Sequence, residues 1–565
     1  MSNVDFAIRR GRYIGVYMEK RQKSFVQGAA ILGVAGLLVK IIGAVFRIPL
    51  ANQVGPEGMS YYEVAYPYYS GLLVIASSGL PTAISKMVSE RVTLKDYRGA
   101  RDVFNTARAL LCVLGVVLAL VMFFLAKPLA SSSGLDAAYL SFQAFAPALL
   151  FVAVMCAYRG YLQGLQQMTG TAVSQIVEQL GKLVIGLTLA IKLLPKGPEY
   201  AAMGAIIGVS VSELMALIVI CVMYRAKKRS FDAKLKRGAN AAGRSVMPAR
   251  RGFGSISKNL LQIAVPVTIG ASISPLAGIV DVALIINILT ETLGFNLQTA
   301  QTAFSLLRTN VSTLVNMPGV LTMALAMSLV PAVAANAAKK DIAGVRATSR
   351  LGLKLALIIG VPCAVGLFVL AEPILHMLYP TLKPAELTLA ADLLHTASVG
   401  VIFLSMVQSM TGVLQGLGKP QVPVINLFIG AVLKVAAMVI MMRIPSLNIQ
   451  GAAVSTVILY VYAGVADTIY MMRRTRMRAK VVDTFLKPLF ASGAMGLAAY
   501  LVNRFLIIEN HANITTLLAV GAGVAVYAAL VILLKMFSSE ELNYIPGGGK
   551  LRRIMYRGEH HEREN

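Results

Sequence analysis

Apolar runs of about 20 residues recur along nearly the whole chain, and a helix of that length crosses the hydrocarbon core of a bilayer. Read by hydropathy, they predict helices at 25–50, 60–88, 104–126, 137–160, 170–193, 200–224, 259–289, 303–335, 351–372, 387–414, 421–442, 450–472, 484–506 and 513–536. The two-residue alternation of a membrane β-barrel strand is absent. The expected fold is an all-α polytopic membrane protein of about fourteen transmembrane helices.

Polar residues fall between the runs, and their sign is uneven. With a cytoplasmic N-terminus, one set of connections carries about 38 Lys and Arg and the other about six. That bias predicts a protein of the cytoplasmic membrane with both termini cytoplasmic. Composition agrees: 57% of the 565 residues are hydrophobic and 14% charged, where soluble chains carry about a quarter. The net charge of +27 could point to nucleic acid, but its clustering between apolar runs assigns it to the membrane, so no nucleic-acid partner is expected. The four cysteines lie inside apolar runs without ligand spacing, so neither a metal site nor a disulfide is expected. The run from Phe25 is too long for a signal-peptide core and is read as a retained first helix.

Within this pattern the chain repeats itself. Gly160-Tyr161-Leu162-Gln163-Gly164-Leu165 returns 252 residues later as Gly412-Val413-Leu414-Gln415-Gly416-Leu417, and the same offset carries Lys182 to Lys434. Lys95-Asp96-x-x-Gly99-x-Arg101 is echoed by Lys340-Asp341-x-x-Gly344-x-Arg346, and Gly204-Ala205 by Gly451-Ala452. Six helices per copy predict two bundles of one orientation, related by a pseudo-twofold axis along the membrane normal, plus two C-terminal helices. The expected organisation is a basic cytoplasmic tail (1–24), a six-helix bundle (25–224), a basic loop (225–258), a second bundle (259–480), two further helices (481–537) and a cytoplasmic tail (538–565). Duplicated halves of this kind point to a transporter.

Several segments carry a resemblance. Arg159 through Gly164 with Thr171 through Gln179, Gly79 through Lys86, Pro266 through Asp281 and the Pro318–Pro331 stretch resemble the polysaccharide-transporter branch of the multidrug/oligosaccharidyl-lipid/polysaccharide exporter superfamily. The resemblance implies a V-shaped pair of bundles and alternating access for an undecaprenyl-pyrophosphate-linked sugar such as lipid II. It also implies a lipid-tail groove formed by helices thirteen and fourteen, and a role in cell-wall, spore-cortex or polysaccharide synthesis. Membrane lipids and cell-wall synthesis proteins are the further partners it implies. One position departs from the pattern. Gram-negative lipid II flippases carry an arginine shortly before the proline of helix eight, where this chain has Thr313, with Arg308 more than a turn earlier.

Ionisable groups inside apolar runs cost at least a few kcal/mol at mid-membrane, so they face protein or a water-filled cavity. The first helix carries Lys40 and Arg47 and no acid; Lys86, Glu178, Lys182, Glu213, Asp281, Arg308, Lys354 and Lys434 follow. Arg47, helped by Lys40, Lys86 or Arg308, is the expected pyrophosphate contact, because a guanidinium fork matches phosphate oxygens; snorkelling to an interface is the alternative for Arg47 and Lys86. Arg159, Gln163, Glu178, Lys182, Gln415 and Lys434 are expected in structural or gating roles, Glu178 and Lys182 as an i,i+4 pair. Asp281 either binds a coupling cation or pairs with a neighbouring base. The tyrosines from Tyr61 to Tyr69 read as an interfacial belt or a sugar platform.

No Walker loop, metal cluster or Ser-His-Asp arrangement occurs, so neither catalysis nor a cofactor is expected. The driving force is then a Na⁺ or H⁺ gradient, the membrane potential, or consumption of the product. A drug/cation antiporter of the same superfamily is the alternative function.

Overall fold

The computed structural model describes residues 3–94, 96–241, 252–477, 481–506, 512–539 and 541–544, with side chains over 33–94, 96–226, 252–477, 481–506, 512–539 and 541–542. Every regular element among them is helical. The main helices are α1 (Asn3–Ser77), α2 (Gly79–Thr93), α3 (Tyr97–Phe124), α4 (Tyr139–Gly164), α5 (Met168–Gly181), the short α6 (Leu187–Leu193) and α7 (Pro198–Ala241). They continue with α8 (Phe253–Asn287), α9 (Leu297–Ser305), α10 (Ser312–Ala338), α11 (Ile342–Val369), α12 (Pro384–Gly416), α13 (Gln421–Met442), α14 (Gln450–Thr475), α15 (Lys487–Phe505) and α16 (Ala512–Leu533).

Among the described residues, twelve helices are long and apolar enough to cross a membrane, against fourteen expected runs. Two local geometries account for the difference. The expected segments 25–50 and 60–88 run together as one 61-residue stretch, Gly33–Thr93, bent at Gly55. Gly55 has φ 72° and ψ 174°, a conformation essentially reserved for glycine. The expected segment 170–193 is interrupted by a π turn at Lys182–Gly186 between α5 and α6. The basic stretch 1–24, expected as a tail, is helical from Asn3, and the basic loop contributes helix as far as Ala241. Residues 242–251 of that loop and 545–565 of the C-terminal tail lie outside the described residues.

The chain divides into two compact units: Met1–Phe46 with Val64–Pro275, and Arg47–Glu63 with Leu276–Asn565. The division falls at Pro275 inside α8, where the ring removes a hydrogen-bond donor, rather than in the basic loop. The tip of the first hairpin, Arg47–Glu63, belongs to the second unit.

Each unit is organised around one central helix. In the first, α4 packs against α2, α3 and α7; in the second, α12 packs against α10, α11 and α14. The repeated glycines explain the close approach. A Cβ on Gly160 would lie 2.9 Å from the Pro81 carbonyl oxygen, and one on Gly412 would lie 2.6 Å from that of Ala326. Small residues four apart let membrane helices approach to backbone contact. The other echoes also have a physical basis. Asp96 Oδ1 accepts from the Gly99 N–H at 2.8 Å and Asp341 Oδ1 from the Gly344 N–H at 2.8 Å, so the repeated Asp-x-x-Gly is a duplicated N-cap. Both central helices end in the same 6→1 and 5→2 turn: Gln167 N–H donates to Leu162 O and Gln166 N–H to Gln163 O, as Lys419 N–H does to Leu414 O and Gly418 N–H to Gln415 O. The left-handed position is Gln166 (φ 59°) in one copy and Gly418 (φ 71°) in the other. One length differs, since α4 has 26 residues and α12 has 33. Within the second unit, α15 packs on α11 and carries α16 with it.

Candidate functional site

Charged side chains buried in these helices fall into separate networks. In the first unit, Arg159 on α4 donates from Nε to Ser174 Oγ at 3.0 Å and from a terminal nitrogen to Glu178 Oε2 at 3.1 Å. Lys182 Nζ lies 2.7 Å from Glu178 Oε1 and 3.1 Å from Glu213 Oε1 on α7. Two cations face two carboxylates. Lys182, the first residue of the π turn, pairs with an acid on a neighbouring helix as well as with the expected i,i+4 acid.

In the second unit, Asp281 on α8 is 4% exposed, and its Oδ2 receives Lys434 Nζ from α13 at 2.6 Å and an Arg308 terminal nitrogen at 3.5 Å. Two cations here face one carboxylate. Arg308 Nε and Asp281 Oδ1 are both buried without a partner. Buried polar groups are nearly always satisfied, so these two atoms are open to further partners.

Arg47 and its partner also belong to this unit. Arg47 pairs with Glu63, which is 1% exposed and lies 16 residues on, past the Gly55 bend. Nearby, Asn52 Nδ2 donates to Leu378 O at 2.8 Å and Thr381 Oγ1 to Asn52 Oδ1 at 3.3 Å. Tyr379, adjoining these groups in the connection before α12, has its phenol pushed up to about 12 by burial and stays a neutral donor. A narrow cleft here is lined by Asn52, Gly55, Ser305, Asn310, Tyr379 and Thr381.

The expected phosphate contacts therefore divide. Arg47 and Arg308 are in the second unit, whereas Lys40 and Lys86 are in the first, both exposed, with Lys86 only 4.0 Å from Glu90 and Lys40 unpaired among the described residues. Gln163 is half-buried and Gln415 exposed, each supplying a backbone carbonyl to its helix-end turn. Most of the tyrosine stretch faces inward, with Tyr66 exposed. Tyr69 stacks on Phe145 at 4.3 Å, Tyr68 meets Phe142 edge-on, and Tyr61 and Tyr62 are buried. Two acids escaped the sequence reading. Glu63 was hidden among tyrosines, and its 16-residue spacing from Arg47 has no helical meaning without the bend. Asp467 on α14 is fully buried, accepts from Asn426 Nδ2 at 2.7 Å, and leaves Oδ2 without a partner. A lone acid in an apolar helix was the signal available for it.

Comparison with known proteins decides the family. The family model described as "Polysaccharide biosynthesis protein" matches residues 25–337. The chain belongs to the polysaccharide biosynthesis protein family. Within the exporter superfamily this is the polysaccharide-transporter branch. The MatE model of the same superfamily matches residues 309–440. The chain is 25% identical over 541 residues to stage V sporulation protein B of Bacillus subtilis (strain 168), covering 94% of this chain and 99% of that protein. It is also 25% identical over 523 residues to the lipid II flippase MurJ of the same organism, covering 89% and 94% respectively. Among solved structures, the inward closed conformation of a lipid II flippase MurJ superposes with a TM-score of 0.66 at 14% identity, over 89% of this chain and 98% of that one. This polysaccharide biosynthesis protein thus shares a transporter fold, with its charged groups gathered into networks of different balance.

Proposed function

We propose that the protein is a flippase for an undecaprenyl-pyrophosphate-linked sugar, lipid II or a polysaccharide precursor, working by alternating access in cell-wall, spore-cortex or polysaccharide synthesis. The reading rests above all on the Asp281–Lys434–Arg308 cluster, which holds surplus positive charge and an orphaned Arg308 N–H inside the second unit. The relatives named above support the substrate class. Arg308 and Arg47 of the second unit are the proposed pyrophosphate ligands, Glu63 holding Arg47 until phosphate displaces it, and Lys40 and Lys86 of the first unit are proposed separately as basic contacts. Arg159, Gln163, Glu178, Lys182, Gln415 and Lys434 hold the helix geometry. In this reading both termini are cytoplasmic, and α15 and α16 flank the lipid tail.

The test is translocation of fluorescent lipid II in proteoliposomes. Arg308→Ala is expected to lower the rate at least about tenfold, the loss of one charge-assisted contact, while the fold melts as in wild type. Wild-type translocation by Arg308→Ala would overturn the assignment.

A second reading, a drug/cation antiporter, draws on Asp467, whose buried carboxylate accepts from an amide and forms no ion pair among the described residues. Asp281 is the other candidate for ion coupling, with Lys434 as a tethered competitor for the cation. Drug efflux driven by Na⁺ or H⁺ and lost in Asp467→Asn, without lipid II translocation, would favour that reading.

A further inference from the structure

The segment after α16 meets a lysine that the proposed transport cycle leaves unused. Lys354 on α11 is 4% exposed, and its Nζ donates to Glu541 Oε2 at 2.7 Å while lying 5.7 Å from the centre of the Phe537 ring. Met536, Phe537 and Leu542 of the same segment are buried in an apolar cluster with Leu351 of α11 and Ala491 of α15. The segment reverses direction at Lys535, which has a φ of 43°, and then folds on itself. Ser538 N–H donates to Glu541 Oε2 at 2.9 Å, and Glu541 N–H donates to Ser538 Oγ at 3.2 Å.

A buried ion pair is weak grounds for stability, because apolar residues of similar volume serve as well or better. This pair differs in how its two halves are anchored. Lys354 is in the middle of a 28-residue helix packed against α12 and α15. Glu541 is on a short strap held by three apolar side chains, and its carboxylate keeps 19% of its surface exposed. Beneath the strap, an ammonium stands next to an apolar wall contributed by α11, α15 and α16, with Tyr527 of α16 donating to Ile358 O at 2.8 Å. A cation beside an acyl-chain-like wall suits one chemistry, a phosphate carried on hydrocarbon. Glu541 Oε2, anionic and already receiving two donors, stands where a phosphate oxygen would.

We propose that Lys354 binds the phosphate of an anionic membrane lipid, and that the strap closes this site by presenting the Glu541 carboxylate in the phosphate's place. The site shares no residue with the Asp281 cluster; α15 and α16, which flank the lipid tail in the proposed transport, here wall a site whose ligand is a membrane phospholipid.

The full chain in phosphatidylcholine nanodiscs is titrated separately with dioleoyl phosphatidate, dioleoylglycerol and inorganic phosphate, and bound ligand is read by native mass spectrometry. Phe537→Ala loosens the strap without changing a charge, and Glu541→Gln removes the competing carboxylate. Each is expected to raise phosphatidate retention about tenfold by raising the open fraction, and adding Lys354→Met is expected to abolish the gain. Dioleoylglycerol and inorganic phosphate are expected to show none. Wild-type retention in both strap variants, a gain that survives Lys354→Met, or inorganic phosphate binding as tightly as the lipid would each overturn the proposal. A Lys354→Met, Glu541→Met chain keeps an apolar pair in place of the charges, so its loss of phosphatidate binding at wild-type melting temperature separates binding from folding.

Discussion

Lys182 and Lys434 occupy the same place in the internal repeat, 252 residues apart, yet they meet different company. Lys182 stands between Glu178 and Glu213, with Arg159 completing a neutral set of four. In the second copy, Gly430 and Tyr460 stand where those two acids would be, and the carboxylate comes instead from Asp281 on α8. Arg308 then adds a second cation to that one carboxylate. The comparison teaches that duplication preserved the backbone, in caps, turns and glycine contacts, while the buried charges diverged. A neutral set suits a fixed scaffold. A set with one cation to spare suits a site that waits for an anion.

The strongest way to break this comparison is to remove the acid from each set. Asp281→Asn leaves buried Lys434 and half-buried Arg308 without their shared carboxylate and is expected to cost about 3–5 kcal/mol. Glu178→Gln leaves Lys182 still paired with Glu213 and is expected to cost about 1–3 kcal/mol. Thermal melts in one detergent measure both, and equal losses would remove the distinction between the units. A smaller effect tests the shared backbone. Gly412→Ala and Gly160→Ala each force a Cβ against a carbonyl oxygen and should cost about 1–3 kcal/mol, Gly412→Ala the more because its contact is the shorter. The smallest effect has the opposite sign. Gln166→Gly copies Gly418 at the left-handed turn position and should stabilise the first unit by about 1 kcal/mol, read as a higher melting temperature.

Much of this architecture was legible in the chain because it is written in local terms. Apolar runs marked the helices, and the repeated Asp-x-x-Gly and Gly-x-x-x-Gly carried the caps and the close crossings. The π turn at Lys182 was not legible, since one extra residue in a helical ladder leaves no mark in hydropathy. Nor, apart from the i,i+4 pair of Glu178 and Lys182, were the partners of the buried charges. Arg47 finds Glu63 only once Gly55 bends the chain, Asp281 meets Lys434 from 153 positions away, and Lys354 meets Glu541 from 187. Candidate residues could be named from their cost in an apolar helix, but their pairing is a property of packing.

The seven residues by which α12 exceeds α4 have a geometric meaning. Seven residues make just under two helical turns, so the added length rotates the faces by only ~20° and raises the helix by roughly 10 Å. The repeat aligns the two C-terminal ends, Gly164 with Gly416, so the extra turns stand at the N-terminal end of α12 and leave the glycine seam as it is in α4. Length at that end is a property the second unit can change without disturbing its own central crossing.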